Sequence, residues 1–260
     1  ALFLADSIPW NYVYLLLAAS LFIGIITTFI GPNPEGQIIP PKSLREAVIE
    51  PFTDYFRRKG AYEILAFIIL YKIGDVMAAN MTTPFILKIG FSKTDLAVVA
   101  KTFGIIAIIG GGLVGGILLL RMGLLSALWI FGILQAVSTL SFSALVSVGA
   151  YYYVLVGTVA FENFTSGMGA SAFIAFMATL CNKRFTATQY ALLSSLMGIP
   201  RVIIASPAGY LAERLGWVYF FIFCTLAAIP GLVFLIRYKT WQEGSYTLGK
   251  TADSYSMGAK

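Results

Sequence analysis

The chain has 260 residues, 58% of them hydrophobic and only 12% charged, with a net charge of +6. A soluble domain is about 45–50% apolar and roughly 25% charged, so this composition excludes an ordinary globular protein and indicates an integral membrane one. The absence of histidine removes imidazole zinc sites, histidine–nucleophile dyads and histidine proton relays together. The basic residues lie between apolar runs, where membrane topology accounts for them, so nucleic-acid binding is not read from the charge. Cys181 and Cys224 match no metal or redox spacing and read as apolar filler. The chain starts at Ala1 with no signal-peptide pattern, and it reads as a piece of a longer one.

A helix needs about 20 apolar residues to cross the hydrocarbon of a bilayer. Seven stretches qualify: 10–30, 61–87, 96–120, 123–147, 151–180, 187–212 and 216–237. The expected fold class is all-α integral membrane with seven transmembrane helices, because unpaired backbone cannot sit in lipid. Between the first two spans lies the one long polar segment, 31–60. It opens GPNPEGQIIPP, which breaks helices. Leu44, Ala47, Val48, Phe52, Tyr55 and Phe56 then fall near helical spacing, which predicts one or two short amphipathic helices on the membrane surface. The tail 239–260 is polar and rich in Gly and Ser, and is expected to be unstructured.

With 31–60 placed in the cytoplasm and each span reversing the chain, twelve Lys and Arg fall on the cytoplasmic side and three on the other. That bias puts the tail inside the cell. The first span begins LFLADSIPWNYVY and the last GYLAERLGWVYFF, sharing L-A-[DE]-x-x-x-W-x-Y at an offset of 207 residues and in the same predicted orientation. Same-direction repeats joined by a cytoplasmic linker are what a major-facilitator transporter contains. On that reading residues 1–30 are the last helix of an N-terminal half and 31–60 the linker. Residues 61–238 form the C-terminal six-helix half, 239–260 the tail, and five helices precede this chain.

Five charges lie within spans: Lys72, Asp75, Lys101, Glu162 and Arg201. Each costs about 2.5–3.5 kcal/mol at a helix centre on insertion scales, so such charges face one another or a wet cavity. Lys101 is close enough to a span end to reach outward. Lys72 and Asp75 are three residues apart on one helix face. They read either as a self-neutralising pair that fixes helix rotation or as a pair lining a binding and coupling site. Glu162 has no charged neighbour on its own helix and needs a partner elsewhere or a proton, with Arg201 the cross-helix candidate. Without histidine, Asp75 and Glu162 are the proton-coupling candidates, and Lys72 and Arg201 suit an anionic substrate. The run Gly111-x-x-x-Gly115 and Gly112-x-x-x-Gly116 reads as close helix packing. Pro200, Pro207 and Pro84 are expected to break their helices.

The blocks LYKIGD (70–75), NMTTPFI (80–86), KTFG (101–104), FEN (161–163), SGMGASAF (166–173), TLCNKRFTATQYALLSS (179–195) and PAGYLAERLGW (207–217) together resemble the AmpG-type muropeptide permeases of the major facilitator superfamily. The resemblance implies a bacterial inner-membrane permease that imports GlcNAc-anhydro-MurNAc muropeptides on the proton gradient, with no bound cofactor. It implies an anionic sugar-peptide substrate, the lipid bilayer and the five preceding helices as partners. Asn80, Asn163 and Gln189, in the matched blocks, join Lys72 and Arg201 as candidate substrate-binding residues. Alternatives are a siderophore or other small anionic solute as cargo, or a split permease acting as a non-transporting subunit or scaffold. No metal-ligand set and no nucleophile–base constellation is present, so an enzyme is not expected.

Overall fold

The structure, a computed structural model, describes residues 9–31, 43–182, 185–204, 206–238 and 241. It divides into two compact units, residues 1–40 and 41–260. The first holds α1 (Trp10–Ile30), which begins after Pro9 and exposes large apolar side chains such as Leu21, Phe22 and Phe29. Such a surface suits lipid, and its backbone bonds close within the helix.

The second unit holds α2 (Leu44–Phe56), α3 (Ala61–Lys88), α4 (Lys93–Met122), α5 (Leu124–Val148), α6 (Tyr152–Leu180), α7 (Thr186–Leu196), α8 (Ala208–Leu215) and α9 (Trp217–Arg237). No strand occurs among the described residues. Single glycines separate α4 from α5 and α8 from α9: Gly123 at φ +80° and Gly216 at φ +76°. Only a residue without Cβ takes that conformation at no steric cost, so one residue ends one helix and starts the next. Ser92 and Asp95 form a reciprocal capping box that starts α4. The repeat places Trp10 and Trp217 each at the first position of a helix.

By length and composition α1, α3, α4, α5 and α9 suffice to cross a membrane, and a sixth crossing results if Thr186–Ile203 and Ala208–Leu215, bent by 44°, count as one. Each of the seven expected stretches overlaps helix among the described residues. The difference arises at α6, whose 29 residues are interrupted by Glu162, Asn163, Thr165 and Ser166. The 187–212 span is broken, with a π-helical turn at Pro200–Ile204. Pro84, by contrast, sits inside an uninterrupted α3, so the break expected there does not occur.

Glycines set the helix contacts. A Cβ at Gly111 would overlap the Phe164 carbonyl, and one at Gly115 would stand 2.7 Å from the Met168 Cα. This face of α4 therefore lies directly on α6. The second Gly-x-x-x-Gly pair is different: Gly112 has only the Gly167 carbonyl oxygen, at 3.9 Å, and Gly116 meets nothing within 4 Å. Two apolar clusters fill the unit. One gathers Phe67, Tyr71, Phe131, Phe173 and Phe176; the other gathers Phe85, Phe142, Phe220 and Phe221. Along α3, Lys72 and Asp75 fall between them.

The end of the bundle at α2 is closed by side chains. Arg58 donates to Asp54 at 3.0 Å, to Gln189 at 3.1 Å and to the Leu180 carbonyl. The predicted amphipathic helix thus exists, and it docks onto α7 while exposing Val48, Ile49, Phe52 and Phe56. Trp241, in the tail expected to be unstructured, is 1% exposed and donates to Glu63 at 3.0 Å. Its indole is buried because the aromatic ring has Phe67 and Phe176 to pack on. The rest of the tail lies outside the described residues.

Candidate functional site

One helical turn places Lys72 and Asp75 on the same face of α3, and Lys72 Nζ lies 3.2 Å from Asp75 Oδ2. Lys72 is 6% exposed. Its second partner is on α5, where Nζ donates to Gln135 Oε1 at 3.4 Å. Glu162 approaches from α6. It does not pair with Arg201; it accepts from the Ser138 hydroxyl of α5 at 2.6 Å, and Thr165 donates to Ser138 at 2.7 Å.

Helix α5 is therefore the bridge between the two carboxylates. Gln135, Ser138 and Thr139 are all buried on it, at spacings of three and four residues that put them on one face. Sequence reasoning passed over these residues because they carry no charge. The available signal was their helical spacing in the otherwise apolar run LQAVSTL (134–140). A cavity of about 10 Å³ is lined by Tyr71, Gly74, Asp75, Gln135 and Thr139 among others, close to the size of one water molecule. Gln135 Nε2 is buried with no partner among the described residues.

The arrangement joins one cation and two carboxylates through neutral hydrogen-bonding groups. Each ion would cost several kcal/mol in an apolar span if left bare. Mutual pairing and hydroxyl donation offset that cost, and a carboxylate held by hydroxyls has partners whether it is ionised or protonated.

The remaining candidates lie elsewhere. Arg201 sits exposed on the π-helical turn Pro200–Ile204, which packs against α3, and has no ion partner among the described residues. Lys101 is exposed on a second π-helical stretch, Val99–Gly104. Asn80 is exposed and donates to its own helix at Val76, and Asn163 is half-buried and donates to Val159, both at 2.8 Å. Gln189 is fully buried in the α2 dock, bonded to Arg58, Asp54, the Pro51 carbonyl and the Asn182 amide. Its polar atoms are taken by that dock, apart from the charged group. Among the described residues no cluster of His, Cys, Asp and Glu is large enough to hold a metal.

Long apolar helices packed around a buried ion pair and a second carboxylate define a polytopic membrane protein. The Major Facilitator Superfamily model matches residues 1–205, and the chain belongs to that superfamily. It is 45% identical to the anhydromuropeptide permease of Escherichia coli (strain K12) over 238 residues, covering 91% of this chain and 48% of that protein. An AmpG-named protein of Rickettsia conorii is 34% identical over 247 residues, covering 92% of this chain and 60% of the relative. A Haemophilus influenzae protein is 35% identical over 247 residues, covering 90% and 58%. The chain spans about half the length of the curated relatives it matches.

Proposed function

We propose that this chain is the C-terminal part of a proton-coupled permease that imports anhydromuropeptides across the bacterial inner membrane, with its C-terminus in the cytoplasm. Similarity to the Escherichia coli permease over 91% of the chain supports the substrate class. The coupling reading is carried by one observation: Glu162, within a long helix of a membrane protein, has a hydroxyl as its hydrogen-bond partner in place of a cation. A carboxylate so placed takes up a proton from one side and gives it up to the other as access alternates. Asp75 is the second acid, poised against Lys72. Lys72 and Arg201 supply positive charge for the carboxylates of a sugar-peptide, and Asn80 and Asn163 supply amides for its hydroxyls. The membrane proton gradient is the driving force, and the helices of the other half complete the cavity.

The test is uptake of a radiolabelled anhydromuropeptide into vesicles under an imposed proton gradient, using the protein as expressed from its own gene. Asp75→Asn and Glu162→Gln are expected to insert normally and to lose accumulation. Accumulation unchanged in both variants would remove the coupling role. No saturable uptake by the unsubstituted protein would remove the substrate assignment.

A further inference from the structure

The hydroxyl of Ser138 has one hydrogen and two acceptors in reach. Glu162 Oε2 lies at 2.6 Å and the Gln135 backbone carbonyl at 2.8 Å. Thr165 has the same choice: its hydroxyl reaches Ser138 Oγ at 2.7 Å, or the carbonyls of Phe161 and Glu162, both at 3.1 Å. A hydroxyl donates once but accepts as well, so these atoms admit two proton arrangements. With Glu162 ionised, Ser138 donates to the carboxylate, and Thr165 donates to Ser138. With Glu162 protonated at Oε2, its O–H donates to Ser138 Oγ. Ser138 then turns to the Gln135 carbonyl, and Thr165 turns to a carbonyl of its own helix. In both arrangements Ser138, Thr165 and Glu162 Oε2 keep a partner with the heavy atoms where they stand, and in the second Ser138 shares the Gln135 carbonyl with Thr139, which donates to it at 3.1 Å.

We infer that Ser138 is a positioning residue whose hydroxyl turns with the protonation of Glu162, so that a half-buried carboxylate gains or loses a proton without moving its helix. One proton arrives at Glu162 Oε2 and forms one O–H bond. The Ser138 and Thr165 hydrogens rotate and leave neither oxygen. Ser138 and Thr165 are 0% and 1% exposed, so these two hydroxyls turn between protein acceptors, while Glu162 itself is half-buried. The charged and titratable groups facing Glu162 are Asp75 and Lys72 from α3, with the Cys224 thiol from α9. Lys101, on α4, is exposed. Among the described residues of α5, the groups facing Glu162 are the neutral hydroxyls Ser138 and Thr139. The inference rests on the coupling reading for its consequence in transport, but the switch itself is observable without transport.

The experiment is infrared difference spectroscopy of the reconstituted protein during a pH titration, paired with uptake. A protonated-carboxyl band that Glu162→Gln removes identifies Glu162. Ser138→Ala and the near-isosteric Ser138→Cys are expected to move that band to the higher frequency of an acid without a strong acceptor. In the same variants proton-driven accumulation falls about tenfold or more, the factor for losing one hydrogen bond to a charged group, while substrate exchange without net proton release persists. Ser138→Ala in the Glu162→Gln background is expected to add nothing, as for two residues acting as one unit. A band that Ser138→Ala and Ser138→Cys leave in place overturns the switch, as does the absence of any Glu162-dependent band. If Glu162→Gln accumulates substrate normally, the coupling reading fails on its own, and the band still decides the switch.

Discussion

Gly169 of α6 lies against the side chain of Gln135: a Cβ at position 169 would stand 2.8 Å from Gln135 Oε1. That oxygen is the second acceptor of the Lys72 ammonium. The missing Cβ on one helix therefore fixes where a cation on another is held. Gly169→Ala is expected to displace the amide and destabilise the protein by about 1–3 kcal/mol, the range for overpacking. In a Gln135→Ala background the same substitution has nothing to strike, so its cost should nearly vanish. Thermal unfolding of the solubilised single and double variants measures this, and an equal loss in both backgrounds would refute the contact.

The Lys72–Asp75 pair makes an opposite kind of prediction. Removing one member of a fully buried pair costs about 3–5 kcal/mol because the other charge is left bare. Here the Asp75 side chain is 17% exposed, so the expected cost of Lys72→Met is lower, about 2 kcal/mol. The double variant Lys72→Met/Asp75→Asn removes both charges and should recover most of that stability while remaining inactive in uptake. A double variant as unstable as the single one would mean that Lys72 acts through its packing and not through its charge.

The charged members of this site were legible because charge in an apolar span has few innocent explanations. Lys72 and Asp75 do pair as their spacing implied. The partner of Glu162 was not legible: the sequence offers Arg201 as a cross-helix cation, whereas the hydroxyl that binds Glu162 belongs to a serine in an apolar run. Small hydroxyls in membrane helices usually bond their own backbone, so the helical spacing of Gln135, Ser138 and Thr139 marks a polar face without showing which hydroxyl reaches Glu162. Gln189 looked like a substrate ligand from its place in a matched block, yet it is a structural node. Its role depends on α2 folding back onto α7, a contact between residues 135 positions apart in the case of Asp54. Trp241 was lost in a polar tail for a similar reason. Composition describes the segment, and one indole finding an aromatic cluster overrides it.

That α2 dock gives a third prediction. Arg58 serves two side-chain acceptors and a main-chain carbonyl at once, through its planar fork. Arg58→Ala leaves Asp54 and the Leu180 carbonyl without that donor and is expected to cost about 2–4 kcal/mol. Arg58→Lys should recover little, since one ammonium cannot span the same three acceptors. Limited proteolysis between α1 and α3, together with thermal unfolding, reports the loss of the dock. A lysine variant indistinguishable from the native protein would show that only the charge matters.

The two overlapping Gly-x-x-x-Gly motifs of α4 are sequence-equivalent, but they differ in what a methyl group would meet. At Gly111 a Cβ overlaps the Phe164 carbonyl, which belongs to the main chain of α6 and has no rotamer to escape into. At Gly116 a Cβ meets nothing within 4 Å. Gly111→Ala must therefore push α4 away from α6, opening the contact that also seats Gly115 and Gly167. A loss of about 3 kcal/mol or more follows, at the top of the overpacking range. Gly116→Ala should be neutral or stabilising by up to about 1 kcal/mol, because a helix interior loses that much to glycine. Purifying both variants in parallel and comparing their unfolding temperatures decides the matter. If the two behave alike, the close approach of α4 and α6 is not set by Gly111.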